Sequence, residues 1–190
     1  MLLTMMLTKT GAPLPPAVDA LVRLVAPWQT AYSDSKVVAT AVVSVHLVAL
    51  LLGGGFAVAA DRATLRALRA RARAPGGAMD PQVEERLLAE LGAVHRPVLI
   101  AMVLLFASGV LLTAADLKTY WASWVFWLKL ALVALLLVNG LVMLRAESGL
   151  RRGRPDAAGG LWARLRAATW ASFALWTATT VVGVALTNAG

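Results

Sequence analysis

Cysteine is absent from the 190 residues, which excludes disulfides and thiolate metal sites and leaves the redox compartment open. Acidic residues are scarce, 10 Asp and Glu against 18 Lys and Arg, and histidine occurs only twice. No Ser-His-Asp, paired-carboxylate or phosphate-cradling pattern is present, so a hydrolase or kinase has no residues to stand on. Charge of either sign is scarcest in four long blocks. Residues 37–60, 97–115 and 167–190 carry none, and 120–144 carries only Lys129.

Those blocks dominate what is there. The chain is 59% hydrophobic and 15% charged, with a mean hydropathy of +0.73. About 20 apolar residues let a helix cross roughly 30 Å of hydrocarbon. In lipid every backbone group needs an internal partner, and the blocks are too continuous for barrel strands with alternating faces. The expected fold class is therefore all-α: an integral membrane four-helix bundle with flanking interfacial amphipathic helices. Residues 1–36 form the lead-in and 37–190 the membrane domain. The apolar start at 1–7 is too short, and lacks the basic flank, for a cleavable signal peptide.

The basic residues are distributed unevenly. Arg62, Arg66, Arg69, Arg71, Arg73, Arg86 and Arg96 lie between the first two blocks; Arg145, Arg151, Arg152, Arg154, Arg164 and Arg166 lie between the last two. By the positive-inside rule these loops face the cytoplasm of a bacterial inner membrane, with both termini outside. The net charge of +8 thus reads as topology and attraction to anionic lipid. No recognition motif accompanies it, so nucleic acid is not an expected partner. Tyr120, Trp121, Trp124 and Trp127 at one end, with Trp162 and Trp170 at the other, read as interfacial aromatic belts.

The connecting segments carry their own patterns. Leu21, Leu24, Val25 and Trp28 follow helical spacing and predict an interfacial helix after Pro13, Pro15 and Pro16. Residues 64–74 predict an extension of the first span, broken at Pro75, Gly76 and Gly77. Asp80 before Pro81 marks a helix start, with Val83, Leu87, Leu88 and Leu91 as an apolar face resting on the membrane or a partner. The segment 147–160, with its Gly, Arg and Pro155, reads as a flexible loop.

Ionisable groups in hydrocarbon are costly, so each is a candidate for function. Two lie inside spans, His46 and Lys129, both about nine residues from the outer end, roughly 14 Å deep at helical rise. Ser108 and Thr180, with neighbouring Gly109 and Thr179, lie near that depth and complete a polar layer. Thr169, Ser172, Trp176, Thr180, Gly183 and Thr187 form a small, polar stripe for helix packing. His46 is the candidate ligand of a haem or metal ion. His95 is about 20 Å away along the bundle axis, so a bis-histidine haem would need two copies of His46 in a dimer. Asn139 is placed to bond across helices, and Asp61, Arg62 and Arg96 to anchor helix ends.

The string Val45-His46-Leu47 leading to Gly53-Gly54, with Ser108-Gly109 and the run from Phe126 to Leu132 followed by Asn139, resembles the membrane domain of copper-resistance protein D and related four-helix bacterial inner-membrane proteins. That resemblance implies a membrane bundle and an association with copper passage. Two functions follow from the residues: a pocket around His46, Lys129, Ser108 and Thr180 that takes haem b, copper or a small ligand, or a non-catalytic accessory subunit. Expected partners are the bilayer and either further copies of the chain or a larger membrane complex.

Overall fold

A computed structural model describes residues 15–74, 80–152 and 155–187. The apolar start, Lys9, Pro13, the break at 75–77, Arg154 and residues 188–190 fall outside that set. Among these residues six helices follow one another: α1 (Pro16–Asp34), α2 (Lys36–Arg73), α3 (Pro81–Ala115), α4 (Leu117–Ala122), α5 (Trp124–Arg151) and α6 (Pro155–Thr187). Helices α2, α3, α5 and α6 are long and apolar enough to cross a membrane, which fits a multi-pass membrane protein. The chain is an all-α four-helix bundle.

Local chemistry sets the helix ends. The Ser35 hydroxyl accepts from the Val38 amide at 3.3 Å and starts α2. Asp80 accepts from the Gln82 amide at 2.8 Å and starts α3 with Pro81 in its first turn. Helix α3 then runs unbroken past Pro97, so the helix expected after Asp80 and the second span are one element. Helix α2 passes Gly53, Gly54 and Gly55 without a break and continues to Arg73. The third span begins later than the pattern predicts: the chain breaks at Ser123, and Tyr120 and Trp121 belong to the short α4. Most of the expected loop at 147–160 is helical, because α5 persists to Arg151 and α6 opens at Pro155.

The helices pack as two antiparallel hairpins, α2 with α3 and α5 with α6, joined chiefly through α2 against α6. Their tightest apolar packing lies outside the spans, at the arginine-rich end. Leu87, Leu88 and Leu91 of α3 meet Ala146 and Leu150 of α5 and Trp162 and Leu165 of α6, with Ala67 and Leu68 of α2 alongside. Water explains the location. Burial there gains about 25 cal/mol per Å² of apolar surface, whereas lipid tails are as apolar as leucine and give no such drive. Within the spans Leu51, Val103, Phe106 and Val181 accordingly stay exposed on the bundle surface. The apolar face of Leu87, Leu88 and Leu91 thus rests on this chain's own helices. Trp162 joins the same core beneath the Arg71 guanidinium, 5.2 Å from its ring, while Trp170 remains exposed as a belt residue would.

At the opposite end α1 docks on α3. Val18 and Val22 are buried, Trp28 donates its indole N–H to the Leu111 carbonyl at 2.8 Å, and the Gln29 amide donates to the Ala114 carbonyl at 3.1 Å. Leu21 and Leu24 stay exposed on the side away from this contact, available to lipid.

Candidate functional site

Two polar layers lie inside the bundle, separated by a tightly packed level. At that level Gly53 faces α3 and α6: a Cβ on it would come within 2.9 Å of the Ala101 methyl and 3.6 Å of the Trp176 ring. One heptad toward α1, the antiparallel helices carry His46, Ser108 and Gly183 respectively. The residues meet as that register requires. His46 Nδ1 lies 2.9 Å from Ser108 Oγ, and the Lys129 Nζ lies against Gly183, 3.5 Å from where a Cβ would sit. The Lys129 charge is within electrostatic reach of the imidazole. Lysine therefore lies inward across a glycine of α6 instead of extending toward the tryptophans.

Hydrogen-bond bookkeeping assigns the tautomer of His46. Ser108 has one hydroxyl proton, and it goes to the Leu104 carbonyl at 2.6 Å, with the Leu105 carbonyl at 3.3 Å sharing it. The same oxygen then accepts from His46, so in the neutral ring Nδ1 carries the proton and Nε2 the lone pair. Ser108 is buried and His46 partly so.

Thr180 is not brought to this layer. It is exposed and its hydroxyl donates to the Trp176 carbonyl of its own helix at 2.9 Å. Thr179 is the buried neighbour, and its hydroxyl has no partner among the described residues. The inward stripe thus runs through buried Thr169, Ser172, Trp176 and Thr179 to half-buried Gly183, a period of 3.5 in place of the straight-helix 3.6. Left-handed supercoiling of packed helices produces that shift.

The second layer was not expected. A cleft of about 130 Å³ lies one to three turns toward the arginine-rich end, lined by α2, α3, α5 and α6. Asp61, His95, Glu147, Asn139 and Ser172 supply its polar groups; Met102, Met143 and Leu136 are among its apolar ones. Asp61 is 2% exposed and Glu147 3%, so both side chains lie inside the bundle. His95 Nε2 lies 3.4 Å from Glu147 Oε2, and the Ser172 hydroxyl is the hydrogen-bond neighbour of Asp61. Glu147 Oε1 and Asp61 Oδ2 are buried without a partner among the described residues. Asn139 bridges helices as its depth predicts, its amide donating to the Ala168 carbonyl at 2.9 Å.

A sequence signal for this layer does exist. Asp61 follows the first apolar block by one residue, His95 precedes the second by two, and Glu147 follows the third by three. Reading only the interior of each block hides groups that share a depth just beyond it. Among the described residues no three His, Asp or Glu side chains converge to hold a metal ion. No protein family, characterised protein or solved structure matches the chain.

Proposed function

We propose that the protein is a small bacterial inner-membrane protein, arginine loops in the cytoplasm and termini outside, that binds a haem, a copper ion or another small ligand in the layer of His46 and Lys129. The observation that supports it is the contact of His46 Nδ1 with Ser108, which places the ring's lone pair on Nε2. An imidazole whose other nitrogen is engaged by a neighbour is how proteins present histidine to iron or copper. Lys129 adds a cation that suits an anionic group such as a haem propionate, and the unpartnered Thr179 hydroxyl lies one turn away along α6. A single chain offers one histidine here, so a hexacoordinate haem would place two copies of His46 across a dimer. The likeness to copper-resistance protein D is in keeping with copper as the alternative occupant.

Purified protein and the His46→Ala variant, each titrated with haem b and separately with copper, test this reading. The expected result is an absorption change that saturates in the parent protein and is lost in the variant. Identical spectra and identical bound metal in both preparations overturn it. Native mass measurement of the gently solubilised protein separates the binding reading from an accessory-subunit role, which requires a co-purifying complex of other chains.

A further inference from the structure

We propose that the inner cleft is a second binding site, for a monovalent organic cation with a small apolar body that enters from the lipid. The argument begins with charge. Asp61 and Glu147 bring two carboxylates into the cleft, and each is more than nine-tenths buried with one oxygen unpartnered. The cationic groups facing them are His95, on the far oxygen of Glu147, and Arg151, whose charge also reaches Glu147. Arg151 is committed elsewhere, donating to the Leu88 carbonyl, and Arg62 and Arg96 are exposed. Glu147 therefore has cationic neighbours, whereas among the described residues Asp61 has only the Ser172 hydroxyl, which leaves one buried carboxylate without a counter-charge. Buried charge without a counter-charge is costly, so a ligand that supplies it gains strongly.

Shape gives the rest of the ligand. The cleft walls are Val98, Met102, Leu136 and Met143, and its volume of about 130 Å³ accommodates a body near the size of a benzene ring. Its edge is formed by Leu99 on α3 and Leu144 on α5, both exposed, and these two helices lack the close approach seen within each hairpin. The opening therefore faces sideways into the bilayer. Among the described residues no three His, Asp or Glu side chains converge, which favours an ammonium over a bare metal ion.

Benzyltrimethylammonium is the probe, titrated into the full chain in nanodiscs of zwitterionic phosphatidylcholine and followed by calorimetry. Saturable one-to-one binding is expected, weakened at least about ten-fold, or ~1.4 kcal/mol, by Asp61→Asn and by Glu147→Gln. Leu99→Trp, which narrows the mouth and leaves both acids in place, should weaken it too. The titration contains neither haem nor copper, so its result is independent of the His46 reading. Absence of saturable binding overturns the proposal. So do unchanged affinity in both acid variants, or equal binding of the uncharged carbon analogue neopentylbenzene. If an acid variant fails to fold, judged by gel filtration, Leu99→Trp and the uncharged analogue still decide.

Discussion

At His46 a single hydroxyl settles which nitrogen carries the proton. Removing it in Ser108→Ala releases that choice. Nitrogen-15 NMR of labelled histidine should show one Nδ1–H tautomer in the parent protein and a mixture in the variant. The stability loss should be about 0.6 kcal/mol, at most about 1.7, the span measured for bonds between membrane helices. Thr179 should behave in the opposite sense. Its hydroxyl is buried and unpartnered, so Thr179→Val is expected to stabilise the empty protein by up to about 1 kcal/mol in thermal unfolding. The same change at Thr180, exposed and bonded to its own helix, should stay within about 0.5 kcal/mol. The two threonines differ by one position in sequence and cannot be ranked from depth alone. Their ranking depends on supercoiling, which arises from packing between helices.

Helices interact here through what glycine leaves out. Gly53 admits the Ala101 methyl and the Trp176 ring, whereas Gly55 faces nothing within 4 Å. Gly53→Ala should therefore push α2 from α3 and cost about 1–3 kcal/mol in denaturant unfolding, while Gly55→Ala should be neutral or stabilise by up to about 1 kcal/mol. The long apolar runs were legible because the bilayer demands unbroken stretches of them, and every span found in the sequence is a helix in the structure. The cap at Asp80 and the bridge from Asn139 were legible for similarly local reasons. Helix continuity was not. The extension over 64–74 is the exception, read from its helix formers and present in α2. The helix after Asp80 looks separate from the second span, and 147–151 looks like a loop, because most of their charges lie on the outer side of helices whose inner sides are apolar. Asp61 and Glu147 were misplaced by the same error: at a span end, a carboxylate on the inner side looks like one on the outer side.

The whole molecule has two regimes, an apolar middle whose outward side chains stay exposed and a buried apolar core at the arginine-rich end. Leu165 is completely buried in that packed end, and Leu165→Ala should cost about 2–5 kcal/mol in thermal unfolding. Orientation can be tested cleanly because the chain has no cysteine of its own. Single cysteines replacing Arg73 and Thr119, both exposed, lie at opposite ends of the bundle. An impermeant maleimide applied to whole cells should label Thr119→Cys, and should reach Arg73→Cys only after permeabilisation. The reverse pattern would place the arginine loops outside.

The packed end draws Leu87, Leu88 and Leu91 from the first hairpin and Ala146, Leu150, Trp162 and Leu165 from the second. That division has a consequence for biogenesis. A nascent chain can insert α2 and α3 as soon as they are made, since each span satisfies its own backbone. Their leucines then wait in water, uncovered, until roughly the last third of the protein has been synthesised. The early hairpin is thus the interval of greatest exposure to proteases and chaperones, and closure of this aqueous core is the step that ends it.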